Sequence, residues 1–190
     1  MAARTALFVV DIQNDLATDP ATRIPHSSRV IDAAGKVLAS TRRQLDSSRQ
    51  DASRPLIVFV QHEEEASSGA LVRGTEPWKL VFEPREGDGD EILVGKRTRD
   101  TFESNPDLAD KLKGLCVTAI VALGIQSECC VLSTCKGALS AGFKVTVLRD
   151  AHSTYDEGGK TAVKIERDVE AELAAAGAKV VDWKSVVVVS

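Results

Sequence analysis

The sequence predicts an α/β fold built on a mostly parallel β-sheet covered on both faces. Two observations lead there. Apolar runs alternate with longer segments of helical period, the pattern of β-α units. Those runs are continuously rich in Val, Ile and Leu instead of strictly alternating, as expected of strands buried on both sides. The chain has 190 residues, 43% of them apolar. That length suits one domain with one sizeable core, so residues 1–190 are read as a single domain.

In chain order the expected strands are residues 6–10, 56–60, 92–94, 117–123 and 144–148, with a weaker sixth at 179–181. Between the first two, Val30, Ile31, Ala34, Val37, Leu38, Thr41 and Leu45 recur at the three- and four-residue steps of one helix face. Asn105-Pro106 opens a shorter helix, with the asparagine as N-cap and the proline in the first turn, where its missing N–H does no harm. Val131, Thr134, Cys135, Ala138 and Leu139 mark a third, closed by Gly142. Ala162, Ile165, Val169, Leu173 and Ala176 mark a fourth, with Gly177 beyond it. Residues 61–89 have little periodicity and contain Trp78; a loop of that length is usually functional or mobile. Residues 186–189 suit an edge strand or an intersubunit contact equally well.

The net charge is −4 with acidic and basic residues interleaved. No basic stripe exists to neutralise a phosphate backbone, so nucleic acid is not an expected partner. The apolar stretch 6–10 is too short for a secretory or transmembrane segment, which gives a cytoplasmic reading with no membrane partner. Cys116, Cys129, Cys130 and Cys135 crowd into one short stretch, and a reducing compartment argues against disulfides there. They include no C-x-x-C pair and no histidine lies among them, so no structural metal is expected.

In doubly wound sheets ligands bind beyond the carboxyl ends of the strands. Three polar residues stand there: Asp11 after the first strand, Lys96 after the third, and Cys130 after the turn that follows the fourth. A thiol at a helix start meets free N–H groups and the positive end of the dipole, which favour thiolate and can hold an oxyanion. A carboxylate would accept and return the proton, and a lysine near both would favour their ionised forms. On these grounds alone Cys129 and Cys130 remain alternatives for the nucleophile.

The segments Phe8-Val9-Val10-Asp11-Ile12-Gln13, Val94-Gly95-Lys96 with Phe102, Ala122-Leu123-Gly124-Ile125-Gln126-Ser127-Glu128-Cys129-Cys130-Val131, and Ala141-Gly142-Phe143 with Asp150-Ala151 resemble the isochorismatase-like cysteine hydrolases, a group that includes nicotinamidases and N-carbamoylsarcosine amidase. The resemblance runs over residues 6–155 in the same order. It implies a three-layer, six-stranded, mostly parallel, doubly wound sheet with helices on both faces, assembled as homodimers or homotetramers. It implies a catalytic triad of Asp11, Lys96 and Cys130, selecting Cys130 because it directly precedes the valine of the turn. It also implies a non-proline cis peptide at Ile125-Gln126, aiming the Gln126 N–H at the oxyanion. Gln13, Trp78 and Phe102 are the candidate substrate contacts.

Two departures matter. Nicotinamidases of this family carry an Asp/His metal cluster after the second strand, whereas this chain has Gln61-His62-Glu63-Glu64-Glu65. No metal or organic cofactor is therefore expected. The family's Thr-Asp before the nucleophile is Ser127-Glu128 here. The resulting expectation is cysteine-dependent hydrolysis of the C–N bond of a small amide through a thioester. The alternatives are an isochorismatase-type ether hydrolase, although those enzymes often lack the cysteine, and a non-catalytic redox or binding protein using Cys129 and Cys130. Cys135 and Cys116 read as small buried hydrophobes. His152 is a candidate substrate contact or, less readily, a papain-like partner of the thiol. His62, His26 and the acidic run 63–65 carry no expected role.

Overall fold

The structure, a computed structural model, describes residues 2–48 and 51–186. Its strands are β1 (Arg4–Val10), β2 (Leu56–His62), β3 (Glu91–Lys96), β4 (Val117–Ile125), β5 (Lys144–Ser153) and β6 (Lys179–Asp182). All pair in parallel, in the order β3-β2-β1-β4-β5-β6. The chain thus winds outward from β1 to one edge, then returns to lay β4 on the other flank of β1. That reversal opens the crevice at the carboxyl ends of β1 and β4.

Alternate side chains of each strand enter different layers. Ala6, Phe8 and Val10 of β1 and Leu56, Val58 and Val60 of β2 face α4 (Leu108–Gly114), α5 (Leu132–Ser140) and α6 (Ala162–Ala175). Leu7, Val9, Ile57 and Phe59 face α2 (Ser27–Ser47), which buries Val30, Ala33, Ala34, Val37 and Leu38 against them. Both faces are dry, which is why the strand sequences read as continuous apolar runs. Two further short helices, α1 (Asn14–Ala17) and α3 (Thr101–Ser104), follow the first and third strands. Among the described residues no helix is long and apolar enough to cross a membrane.

The expected strands are all present, several of them longer than expected. The expected N-cap at Asn105 is a correction: the helix begins at Leu108, and the Asn105 amide instead donates to Gly95 O and Thr101 O at 3.0 Å each. Residues 63–90 form the long irregular loop, bridged to Gln13 at Leu80. Of the expected C-terminal segment, Val186 follows a short 3-10 turn, while residues 187–189 lie outside the described residues.

Candidate active site

Asp11 is the first residue after β1, fully buried, with a left-handed backbone (φ 49°) that ends the strand abruptly. Lys96 is the last residue of β3, and its side chain is wholly inaccessible. Cys130 sits in a π-helical turn, Ser127–Val131, between β4 and α5, and keeps partial access to solvent. The turn enters through a cis peptide at Ile125-Gln126, as the resemblance implies. Gly124 (φ 139°) makes the close approach possible, since a Cβ there would stand 2.0 Å from the Val10 carbonyl oxygen. Only glycine lets β4 lie so tightly against the strand that ends in Asp11.

The three side chains meet. Lys96 Nζ lies 2.8 Å from Asp11 Oδ2 and donates to Cys130 Sγ at 3.1 Å and to Thr98 O at 3.1 Å. The Asp11 contact is an ion pair without an aligned hydrogen bond, and neither carboxylate oxygen has a hydrogen-bond partner among the described residues. Burial would lower the Lys96 pKa, but Asp11 and Cys130 raise it above its usual value, so the ammonium persists.

The thiol corrects an expectation. Burial pushes Cys130 well above the usual thiol range, Asp11 pushes in the same direction, and Lys96 only partly opposes them. The helix-end effect is about 0.3–1 kcal/mol at exposed sites, and here it is outweighed. The resting residue is a thiol that must hand over its proton when it reacts.

A fourth group was missed in the sequence. His62, the last residue of β2, places Nδ1 3.1 Å from Lys96 Nζ, and the ladder pairs it with Lys96. Burial and the neighbouring ammonium lower its pKa, against weaker opposing effects of Asp11 and Glu64. The ring is therefore neutral at neutral pH and accepts at Nδ1. The signal was present: Gln61-His62 is the polar carboxyl end of a buried strand, the place where ligand-binding residues gather.

The candidate substrate contacts divide. The Gln13 amide donates to His62 O (3.0 Å) and Trp78 O (2.7 Å) and accepts from His62 N (2.9 Å), so it braces the backbone. Phe102 stacks on Phe8 at 6.0 Å between ring centroids and tilts against Phe143, as a core residue does. Trp78 lies in the long loop with a buried indole N–H that has no partner among the described residues. His152 is buried, with Nδ1 2.8 Å from Ser127 Oγ and Nε2 3.6 Å from Glu170 Oε1, so its partners are the base of the nucleophile turn and α6. A cleft of about 360 Å³ lined by Glu63, Arg73, Arg97 and Ser104 reaches Lys96. A larger one of about 560 Å³ lies at the amino ends of β2 and β3, near Arg54 and Asp90, at the opposite end of the sheet from this chemistry.

The segment after β2 does not suit a nicotinamidase-like metal site. Glu63 is spent on Arg73 and Arg97, at 2.6 Å each. Asp11, His62 and Cys130 do offer donor atoms within 4.8 Å of one another. The cation they surround is the Lys96 ammonium, and a metal ion would have to displace it.

The isochorismatase domain model matches residues 5–185. The chain belongs to the isochorismatase family. Among its relatives in the family, a streptothricin hydrolase of Streptomyces noursei is 34% identical over 157 residues, covering 82% of this chain and 60% of that protein. A second streptothricin hydrolase of the same organism is 30% identical, covering 80% of this chain and 50% of that one. This chain therefore spans only part of the length of those two relatives. Pyrazinamidase of Pyrococcus horikoshii, solved in complex with zinc, superposes with a TM-score of 0.74 at 26% identity, covering 94% of this chain and 98% of that one. An isochorismatase-like hydrolase from Alkaliphilus metalliredigens gives 0.79 at 25% identity, covering 96% and 94%. The chain thus carries an isochorismatase-family domain with a six-stranded parallel sheet.

Proposed function

We propose that this protein is a hydrolase that cleaves the C–N bond of a small amide through a thioester on Cys130. The observation that carries the reading is one buried ammonium, Lys96, in contact with both the Asp11 carboxylate and the Cys130 sulfur. A binding or redox protein has no use for that pairing. The names of the streptothricin hydrolase and pyrazinamidase relatives agree with hydrolytic, amide-directed chemistry.

In this mechanism the Cys130 thiol gives its proton to Asp11 as sulfur attacks the carboxamide carbon. Lys96 balances the charge that develops on sulfur. The carbonyl electrons move onto oxygen, where the N–H groups of Gln126 and Cys130 hold the oxyanion. Collapse breaks the C–N bond, and Asp11 returns the proton to the departing amine or ammonia. Water, deprotonated by the same carboxylate, then hydrolyses the thioester. The unpartnered Trp78 indole N–H is a donor for a substrate acceptor.

The test is ammonia release from a panel of small amides, ureido acids and cyclic amides, with intact-protein mass spectrometry during turnover. Wild type accumulates an acyl mass on Cys130, Cys130→Ala is inactive, and Cys129→Ala stays active. Undiminished turnover by Cys130→Ala would overturn the covalent scheme, and ether cleavage without amine release would move the substrate class.

A further inference from the structure

We propose that His62 is a positioning residue of this site, anchoring the Lys96 ammonium between Asp11 and Cys130. The inference rests on the nucleophilic reading of Cys130 but does not depend on which amide is cleaved. Three observations carry it. His62 Nδ1 stands 3.1 Å from Lys96 Nζ, as close as the Cys130 sulfur and the Thr98 carbonyl oxygen. An ammonium has three protons to direct and no preferred plane, so the acceptors around it decide where it sits. The backbone that carries the imidazole is itself held: the Gln13 amide accepts from His62 N and donates to His62 O. Gln13 is wholly buried two residues after Asp11, so one short segment after β1 supplies both the base and the clamp on the anchor.

The groups facing the ring are Lys96 on β3, Asp11 after β1, Cys130 in the turn after β4, and Glu64, whose Oε1 is 4.0 Å from Nε2. With Nδ1 accepting from Lys96, the proton of the neutral ring is on Nε2, on the Glu64 side. Without the imidazole the ammonium would settle towards Asp11 and Thr98, and the forming thiolate would lose part of its counter-charge.

The test needs no substrate. The full chain is treated with iodoacetamide, and the rate of Cys130 alkylation is read by fragment mass spectrometry, which separates it from Cys129. His62→Leu should slow alkylation about tenfold, the effect of one pK unit on the thiolate fraction. His62→Asn should come within about threefold of wild type, because its Oδ1 stands nearly where Nδ1 was. In a Lys96→Met background, His62→Leu should add no further loss, since a residue acting through Lys96 has nothing left to act on. A merely structural role would give multiplying effects and no rescue by asparagine. Wild-type alkylation in His62→Leu, or independent effects of the two substitutions, overturns the proposal. If His62→Leu does not fold, His62→Gln replaces it; its amide reaches the Nε2 position and should remain slow. Inactivity of wild type on the amide panel would overturn the amidase reading and leave this measurement standing.

Discussion

Replacing Lys96 by methionine leaves an unbranched apolar side chain one atom shorter and removes the charge together with its three N–H donors. The ammonium lies 2.8 Å from the Asp11 carboxylate and 3.1 Å from the Cys130 sulfur. At an effective dielectric of about 20, each unit-charge contact is worth about 5–6 kcal/mol before desolvation is counted. Breaking a buried pair by deleting one partner typically costs about 3–5 kcal/mol net. If that falls on the developing thiolate, turnover drops by about 10²–10⁴, at 1.36 kcal/mol per tenfold. The same deletion strands Asp11, which is fully buried, so Lys96→Met should also lose about 3–5 kcal/mol of stability in urea denaturation. The double variant Asp11→Asn/Lys96→Met removes both charges and should recover much of that stability while staying inactive. Turnover of Lys96→Met within about tenfold of wild type would refute the electrostatic role of the lysine. A double variant no more stable than Lys96→Met would refute the stranded-charge argument.

Two further outcomes follow from the packing. Gly124→Ala should cost about 3 kcal/mol or more, because its Cβ would meet the Val10 carbonyl at 2.0 Å with φ at 139°; an unchanged urea midpoint would show that β1 and β4 can separate freely. Burial would raise the Glu170 carboxyl, but His152, Arg167 and Arg149 bring it from its ordinary 4.5 down to about 2. A depressed carboxylate stabilises above its unfolded value, so wild type should lose stability as pH falls from 4.5 towards about 2. Glu170→Gln should flatten that slope in thermal melts across the same range.

The centre of the sheet was legible because its strands are dry on both faces, and burial writes itself as Val, Ile and Leu. The same signal fails where the chemistry is. β2 ends in Gln61-His62, β3 in Gly95-Lys96 and β4 in Gly124-Ile125, each beyond the expected boundary. The first two of those ends carry polar residues that face the crevice, and the third carries the glycine that lets the nucleophile turn approach β1, while Ile125 stays in the core. The proposed triad could be singled out because its turn and flanking residues form a pattern, and the structure brings its three side chains together. His62 could not, since a histidine before three glutamates reads as a solvated loop until the β2–β3 register sets it opposite Lys96. The state of the thiol could not be read either. Spacing places Cys130 near a helix start, but only packing reveals how much protein surrounds the sulfur.

Set in order across the sheet, the site takes one residue from each of four neighbouring strand ends: Lys96 from β3, His62 from β2, Asp11 after β1 and Cys130 from the turn after β4. Three of these enclose a cation carried by the fourth. That cation is tethered to the sheet's edge strand, which has a ladder partner on one side only and exposes Leu93. An edge strand with a single ladder is the element most ready to fray. β3 is held at both ends by buried charge. At its start Glu91, whose side chain is inaccessible, receives Arg42 of α2 through two bonds of 2.9 and 2.7 Å. At its finish Lys96 is held by Asp11. In the proposed mechanism the ammonium that faces the sulfur is therefore also the one that fastens the strand's carboxyl end. On that reading, activity and local stability cannot be separated at Lys96 by any substitution that removes its charge alone.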